Sequence, residues 1–206
     1  MILPDSQSNR KRVAEVVLAG GLVAFRTDTF YGLGVDPFNR DAIKRIFDLK
    51  GREQKPILLL ISDVDEVDRF IEMRSNVFDM VVKAFWPGPL TIVDTAKTAV
   101  PEELSAGGRT IGLRLPADHE LRALLRASGG ALTATSANPS GLPPPRTAAQ
   151  VATYFPSGLD LILDSGESSA TAASTVIDVS QYPARLVREG AVSRARLESV
   201  LRCERA

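Results

Sequence analysis

The stretch Leu22-Val23-Ala24-Phe25-Arg26-Thr27-Asp28-Thr29-Phe30-Tyr31-Gly32-Leu33-Gly34 joins a short apolar run to hydroxyl-bearing residues and two glycines. The apolar run follows Gly20-Gly21, a pattern that predicts a buried strand. A strand ending in Thr-Asp-Thr places hydroxyls and backbone N–H groups at the rim of a sheet, where open α/β sheets bind ligands. We expect the chain to turn through Gly32 and Gly34, because glycine allows a positive φ and a close approach to a ligand.

A helix is predicted directly after this stretch, from a cap at Asn39 to a stop at Gly51. Its apolar residues recur at helical spacing: Ile43, Ile46 and Phe47. Lys50 and Arg52 leave the end of this helix together. Lys50 either complements the negative end of the helix dipole, a contribution of only ~0.3–1 kcal/mol, or faces a ligand. Arg52 follows the glycine and has no obvious helical role.

The rest of the chain alternates apolar runs of strand length with amphipathic helices. Strands are predicted at 57–61, 90–93, 110–115, 131–135, 161–163, 174–179 and 184–188. Helices are predicted from Ser8 or Asn9, Ser62, Ser75 or Asn76, Asp118, Thr147 and Ser193. This pattern predicts a single α/β domain over 1–206, with a twisted mixed β-sheet flanked by helices. A central anion-binding cleft is expected where the hydroxyl-rich ends at 27–29 and 136–138 meet.

Three further features allow two interpretations each. Strand alternation places Thr110, Gly112 and Arg114 on one side of a strand, so Arg114 either pairs with an acid or points into a site. The small, polar segment 165–174 is either a mobile lid or a plain connection. Trp86, beside a Pro-Gly-Pro turn, is either a base-stacking platform or a core anchor, and we favour the anchor.

Composition excludes several classes of function. The single cysteine, Cys203, and the single histidine, His119, disfavour zinc sites, disulfides and catalytic triads. The 25 basic and 25 acidic residues balance, so no overall charge attracts nucleic acid. The sequence carries neither a signal peptide pattern nor an apolar run long enough to cross a membrane, and we expect a cytoplasmic protein without a membrane partner.

The candidate site residues are suited to binding anions. Neither the Walker pattern nor Gly-x-Gly-x-x-Gly occurs, so phosphate would be bound by side chains and strand-end N–H groups. Two hydroxyl-rich strand ends, Lys50 with Arg52, and strand arginines provide such groups. Because acid pairs, thiols and histidines are missing from this set, catalysis by positioning and charge neutralisation is favoured.

Through these motifs the sequence resembles the YrdC/TsaC family of threonylcarbamoyl-AMP synthases. The opening stretch is similar to the family motif Thr-Asp/Glu-Thr-x-Tyr-Gly-Leu, followed by Lys-x-Arg at 50–52. Further blocks appear in family order: Trp86-Pro87-Gly88-Pro89-Leu90-Thr91, Gly112-Leu113-Arg114-Leu115-Pro116, Ser136-Ala137-Asn138-x-Ser140-Gly141 and Ser174-Thr175-Val176-Ile177-Asp178. The resemblance covers about 13–190, with 191–206 as a C-terminal helix.

The resemblance implies a reaction with three substrates. L-Threonine and bicarbonate form a carbamate, whose oxygen attacks the α-phosphate of ATP, so that threonylcarbamoyl-AMP forms and pyrophosphate leaves. Mg²⁺ is expected with ATP, since phosphoryl and nucleotidyl transfer need positive charge at phosphorus. The product would serve tRNA threonylcarbamoyladenosine modification, with tRNA and downstream modification proteins as possible partners.

The resemblance also implies roles for individual residues. Thr27, Tyr31 and Arg114 would shape the threonine pocket, and the planar fork of Arg114 suits a carboxylate. Lys50 and Arg52 would be catalytic, facing triphosphate and carbamate. The nucleotide would be bound by Lys55, Thr110, Ser136, Asn138, Ser174 and Arg188.

Three positions depart from the family pattern. Arg26 and Glu53 stand where the family usually has proline, and Leu60 stands near a position where many synthases have histidine. With these departures the sequence resembles the YciO-like branch of the family. That resemblance implies an alternative function: a protein that binds nucleotide or double-stranded RNA without robust synthase activity.

Two rival functions come from other classes. An RNA-binding module without chemistry would use the same cations, but the balanced charge and the 6% aromatic content weigh against it. A carbamoyl-transfer domain of the HypF type would share the fold. Those proteins carry zinc-finger cysteines and further domains, whereas this sequence has a single cysteine, so this function is disfavoured.

Overall fold

A computed structural model describes residues 1–51 and 55–202. The described residues form one ten-stranded sheet in the order β1-β8-β2-β3-β7-β4-β6-β5-β9-β10. The strands are β1 (Ile2–Pro4), β2 (Val23–Arg26), β3 (Tyr31–Gly34), β4 (Leu58–Ile61), β5 (Leu90–Thr95), β6 (Thr110–Arg114), β7 (Ala131–Ser136), β8 (Leu161–Asp164), β9 (Thr175–Asp178) and β10 (Arg185–Arg188). Parallel pairs such as β2 with β8 and antiparallel pairs such as β2 with β3 occur together, so the predicted mixed sheet is confirmed.

Helices cover the sheet on two sides. They are α1 (Gln7–Leu18), α2 (Arg40–Lys50), α3 (Asn76–Phe85), α4 (Glu102–Ser105), α5 (His119–Ala127), α6 (Ala148–Tyr154) and α7 (Arg194–Arg202). Leucines of α5 pack with Val13 and Val17 of α1 on one side. Residues of α2, α3 and α6 form the larger core on the other. Val23 and Ala24 belong to different cores, as expected for neighbouring residues of a strand.

Part of one sheet face is less covered than the rest. In β5, β6 and β9, half-buried residues alternate with fully buried ones. The half-buried positions include Val93, Thr110, Gly112 and Val176, whereas the neighbouring Ile92 is fully buried. These four half-buried residues define what we call the open face, and in-register pairing of β6 with β5 places Gly112 next to Val93. Arg114, two residues beyond Gly112 in β6, lies on the same side.

The turn after β2 differs from the prediction. Thr27–Phe30 make the hairpin turn, closed by a 3.1 Å hydrogen bond from Thr27 N–H to the Phe30 carbonyl. Gly32 and Gly34 lie in β3 and were wrongly expected to turn. A Cβ at Gly34 would lie 2.4 Å from Cε1 of Phe25, so glycine is needed there for the close packing of a buried ring.

Two helix predictions are also corrected. Ser6, not Ser8 or Asn9, caps α1, because its side chain accepts from the Asn9 N–H at 3.2 Å. The helix expected after Ser62 is a 3-10 helix over Val64–Arg69, and the Asp63 side chain makes no capping hydrogen bond. The segment is therefore built mainly from i to i+3 turns.

Candidate active site

The two hydroxyl-rich strand ends lie side by side. β3 pairs antiparallel with β7, so that Gly32 is opposite Ser136. The Ala137 N–H then donates to the Tyr31 carbonyl at 2.9 Å. This pairing places the β2–β3 turn next to the segment Ser136–Asn138, as the sequence predicts.

The hydroxyls of the β2–β3 turn stabilise the turn itself. Thr27 Oγ1 donates to the Phe30 carbonyl at 2.8 Å and accepts from the Thr29 N–H at 3.1 Å. It also lies 2.9 Å from Thr29 Oγ1, and both threonines are buried. Asp28 lies between them, so its carboxylate is held in one position by the turn.

Arg114 extends from β6 to this turn. Its Nη2 lies 3.1 Å from Asp28 Oδ1, and its Nη1 lies 3.5 Å from Thr29 Oγ1. Arg114 is 3% exposed. Burial lowers the pKa of Arg114, Asp28 partly restores it, and the positive charge of Arg188 lowers it further. The interpretation that Arg114 pairs with an acid is confirmed, and its role in a ligand site stays a prediction.

The ion pair between Arg114 and Asp28 leaves hydrogen-bonding groups unused. Among the described residues, Arg114 Nε and both carboxylate oxygens of Asp28 have no hydrogen-bond partner and are shielded from solvent. Unpaired polar atoms at such depth are unfavourable by about 1–3 kcal/mol each. The pair is thus incomplete in hydrogen bonding.

Lys50 connects the end of α2 to the end of β7. Its ammonium donates to the carbonyl of Ser136 and, at 2.7 Å, to that of Asn138. The side chain is 4% exposed. Because these carbonyls belong to a distant strand end, Lys50 stabilises the 136–138 segment as well as complementing the helix dipole.

Asn138 in turn holds the proline-rich loop. Its Nδ2 donates to the carbonyls of Pro139 at 3.0 Å and Leu142 at 2.6 Å. Its Oδ1 is buried, with no hydrogen-bond partner in the described part of the chain. Ser136, by contrast, is exposed at the strand end, so a ligand would meet its hydroxyl first.

A second group of predicted residues lies where β9 and β10 adjoin β5. Arg188 Nη2 donates to the Ser174 carbonyl at 2.8 Å, and Ser174 Oγ lies 2.9 Å from Thr91 Oγ1. Arg188 is exposed, whereas Ser174 and Thr91 are buried. The effect of Arg188 on the pKa of Arg114 indicates that the two guanidinium groups are near each other.

Tyr31 points away from the Lys50 group and toward the segment 165–174. Its hydroxyl donates to the Gly166 carbonyl at 2.8 Å, lies 3.2 Å from Asp164 Oδ1 and accepts from the Ser165 N–H at 3.2 Å. Burial, with Asp164 as the next cause, raises the pKa of Tyr31 to about 12. Tyr31 is completely buried, and its hydroxyl contacts this segment directly through Ser165 and Gly166.

The segment 165–174 is attached to the β2–β3 turn. Ser168 Oγ donates to the Thr29 carbonyl, and the Ser168 N–H donates to the Arg146 carbonyl at 2.8 Å. Arg146 Nη2 also donates to the Ser168 carbonyl at 2.7 Å. Ser168 is 3% exposed. In this structure the segment covers the turn, which shows it to be more than a plain connection.

The predicted residues therefore fall into three adjoining groups. Thr27 lies at the turn beside Arg114, Lys50 contacts Ser136 and Asn138, and Ser174 contacts Arg188. Thr110 is half-buried on the open face, and Lys55 is exposed. Arg52, Glu53 and Cys203 lie outside the described residues.

Sequence reasoning gave no individual role to four residues of these groups: Asp28, Thr91, Arg146 and Ser168. Asp28 lies inside the quoted motif, and this position was the only available signal. Ser168 contacts Thr29 from 139 residues away, and no local pattern indicates such a contact.

Two of the residues that depart from the family pattern, Arg26 and Leu60, lie away from Lys50 and the 136–138 segment that it contacts. Arg26 points to the other side of the hairpin and lies 3.3 Å from Asp118 Oδ2 at the start of α5. Leu60 is completely buried in the apolar layer with Leu121 and Leu124.

Trp86 is 9% exposed and donates to the Leu90 carbonyl at 2.7 Å, so its role as a core anchor is confirmed.

Within residues 1–51 and 55–202, there is no cluster of three or more His, Cys, Asp or Glu side chains that could hold a metal ion. Over this part of the chain, each helix is too short or too polar to cross a bilayer.

The fold is that of an α/β protein in which two hydroxyl-rich strand ends adjoin beside an open sheet face. The sequence model of the Sua5/YciO/YrdC family, described as "Telomere recombination", matches residues 15–190. The chain belongs to this family, as the motifs of the sequence predict.

Relatives in two size classes are similar to the chain. A threonylcarbamoyl-AMP synthase of Pyrococcus abyssi is 36% identical over 91% of this chain, and one of Halorhodospira halophila is 38% identical over 78%. The chain spans 56% of the Pyrococcus protein and the matched region spans 85% of the Halorhodospira protein.

Solved structures share the fold. Pyrococcus abyssi Sua5 complexed with L-threonine matches with a TM-score of 0.92 at 33% identity, covering 97% of this chain and 60% of that one. Escherichia coli YciO matches with a TM-score of 0.85 at 25% identity, covering 96% and 98%. A full-length HypF, at 18% identity and a TM-score of 0.77 over 88% of this chain and 29% of that one, shares the fold alone.

Proposed function

We propose that the protein is an L-threonylcarbamoyladenylate synthase. The α-ammonium group of L-threonine loses a proton, the resulting amine attacks the carbon of bicarbonate, and loss of water leaves a carbamate. A carbamate oxygen then attacks the α-phosphorus of ATP, the bond to the bridging oxygen breaks, and pyrophosphate leaves. The product is threonylcarbamoyl-AMP.

The observation that carries this proposal is the placement of cationic side chains beside hydroxyl-bearing residues. Arg114 contacts the β2–β3 turn, Lys50 contacts the 136–138 segment, and Arg188 contacts Ser174. All three substrates carry negative charge, and preorganised cations stabilise the charge that develops at phosphorus. The names of the relatives and the threonine complex of Pyrococcus Sua5 support the choice of substrates.

The residues divide between two ends of the reaction. Thr27, Tyr31 and Arg114 serve the amino-acid end, with Tyr31 acting through the segment 165–174 that it contacts. Ser136, Asn138, Thr110, Ser174, Arg188 and Lys55 serve the nucleotide end. Lys50 and Arg52 neutralise phosphate and carbamate charge in this proposal. Lys50 also keeps the 136–138 segment in place through its two carbonyl contacts.

Mg²⁺ enters this proposal together with ATP. Proteins usually hold Mg²⁺ with one or two carboxylates plus substrate phosphates. A dedicated carboxylate cluster is missing from the described residues, and the Asp28 carboxylate is paired with Arg114. These residues fit a metal held mainly by the phosphate oxygens, where it would supply positive charge.

The cellular setting belongs to the same proposal. The product would be used by proteins that modify tRNA, in the cytoplasm where ATP and tRNA occur together. Direct binding of tRNA or double-stranded RNA by this chain is a separate possibility, and it would require a local basic surface because the overall charge is balanced.

Pyrophosphate release from ATP tests the function. Purified protein is incubated with Mg²⁺, with and without bicarbonate and L-threonine. Release that requires both substrates is expected. ATP binding without such release, abolished in Lys50→Ala, would instead support the YciO-like alternative. Salt-sensitive RNA binding without nucleotide affinity would support the RNA-binding module.

A further inference from the structure

The ion pair of Asp28 and Arg114 contains both a hydrogen-bond donor and hydrogen-bond acceptors that are not used. Arg114 Nε is a buried donor, and the two Asp28 oxygens are buried acceptors, without hydrogen-bond partners among the described residues. The two side chains are 12% and 4% exposed. Since native proteins rarely leave such groups unpaired, a bound molecule is the natural partner for them.

The capacity matches one chemical class of ligand. A molecule that satisfies both residues must offer an acceptor to Arg114 and a donor to Asp28, a few ångströms apart. An α-amino acid zwitterion offers a carboxylate and an ammonium on one carbon. A simple carboxylate or a fully ionised phosphate offers only the acceptor, and a nucleotide carries no cationic donor next to its anionic groups.

The geometry of the pair specifies the orientation of the ligand. Arg114 uses Nη2 toward Asp28 and Nη1 toward Thr29, which leaves the Nε side of the guanidinium for a carboxylate. A carboxylate on the Nε–Nη2 edge brings the adjoining ammonium toward the residue already on Nη2, which is Asp28. Hydrogen bonds between Thr27 and Thr29 fix the backbone of the turn that carries Asp28.

We propose that Asp28 is the receptor for the α-ammonium group of the amino-acid substrate. This inference rests on the proposed function and deepens it, because it explains how the reacting nitrogen is positioned. Asp28 selects zwitterionic α-amino acids over other carboxylates, and Arg114 binds the carboxylate of the same molecule. Asp28 is a binding residue in this proposal and takes part in no bond making.

The test compares two ligands that differ only in the amine. L-Threonine is compared with (R)-3-hydroxybutanoate, which keeps the carboxylate and the hydroxyl but lacks the amine. Binding to the wild-type protein is measured by calorimetry. Loss of a charge-assisted hydrogen bond should weaken binding at least about tenfold. Equal affinity of the two ligands would overturn the proposal without any variant.

Variants separate ammonium binding from mere support of Arg114. In Asp28→Asn, threonine should bind at least about tenfold more weakly, whereas 3-hydroxybutanoate should bind as well as before or better, because Arg114 keeps its full charge for the carboxylate. Equal losses for both ligands would show that Asp28 only holds Arg114 in place. Asp28→Glu should retain the preference for threonine, and Asp68→Asn, at an exposed ion pair with Arg74, is the matched control.

Folding and function are controlled independently. Thermal unfolding of Asp28→Asn verifies that the variant folds, and the wild-type ligand comparison stands if it does not. Threonine-dependent pyrophosphate release with undiminished threonine binding in Asp28→Asn would overturn this inference alone. Amine-dependent binding of amino acids without any pyrophosphate release would overturn the proposed function and leave the ammonium receptor intact.

Discussion

The ammonium of Lys50 lies 2.7 Å from the carbonyl oxygen of Asn138, 88 residues further along the chain. The contact connects the last residue of α2 to the turn that follows β7. A cation so deeply buried requires strong acceptors, and two backbone carbonyls provide them. The position of the 136–138 segment therefore depends on a residue whose sequence context indicates a helix end or a ligand contact, but not this partner.

Lys50→Met tests this dependence. Methionine keeps most of the apolar length of lysine but leaves the Asn138 carbonyl without this donor. We expect a loss of about 1–3 kcal/mol in the free energy of unfolding, measured with urea. We also expect pyrophosphate release to fall by about 100-fold or more, as for loss of a group that stabilises transition-state charge.

Lys44→Met is the matched control, because Lys44 lies exposed on the same helix. It should change stability by no more than about 0.5 kcal/mol and leave turnover as in the wild type. Full turnover in Lys50→Met would remove Lys50 from the mechanism.

Tyr31 should make stability depend on pH in the alkaline range. Burial raises its pKa from 10.0 to about 12, so the folded protein holds the phenolic proton more tightly than the unfolded chain. Its contribution is complete below pH 10 and is lost as the pH rises toward 12, at up to about 1.4 kcal/mol per pH unit.

Comparison with Tyr31→Phe isolates this effect, because phenylalanine lacks the ionising group. The stability difference between wild type and variant should be constant below pH 10 and should decrease between pH 10 and 12. A constant difference across the whole range would contradict the raised pKa.

Ser168→Ala should weaken the attachment of the segment 165–174 to the β2–β3 turn. The substitution removes the hydrogen bond to the Thr29 carbonyl, at an expected cost of about 0.5–1.5 kcal/mol. Because Thr29 adjoins Asp28, the KM for threonine should rise several-fold while the KM for ATP changes little.

Hydrogen exchange of 165–174 should be faster in this variant. Ser157→Ala, at an exposed turn position, should leave both KM values and the exchange rates as in the wild type. Equal changes in both KM values would indicate a general loss of structure in place of a local role.

Gly34→Ala should destabilise the fold through a steric clash. The added Cβ would lie 2.4 Å from Cε1 of Phe25 and 3.1 Å from the Thr133 carbonyl. Such overpacking costs typically about 1–3 kcal/mol. The melting temperature should fall accordingly.

Phe25→Leu offers a second arm of this test, since a smaller side chain leaves space for the new methyl. The two substitutions together should cost less than the sum of their separate effects. Simple additivity would show that the ring of Phe25 is not the obstacle.

Much of the fold was predicted from the sequence because strands and helices depend on short-range patterns. The apolar run of β2, the cap and stop of α2 and the alternation in β6 are visible within a few residues. The same holds for the two hydroxyl-rich segments of the candidate site, since each is continuous in the chain. The errors at Ser6 and at 64–69 concern single capping contacts, which several nearby side chains could have made.

The sequence by itself determined the class of fold, the family and the two segments that form the site, because composition and local spacing specify them. Only the tertiary structure decided that Lys50 contacts the end of β7, that Asp28 pairs with Arg114 and that Ser168 contacts Thr29. These partners are separated by 86 to 139 residues, and their meeting depends on strand order and packing. Glycine at 34 has the same origin, because the ring of Phe25 occupies its space only once β2 and β3 have paired.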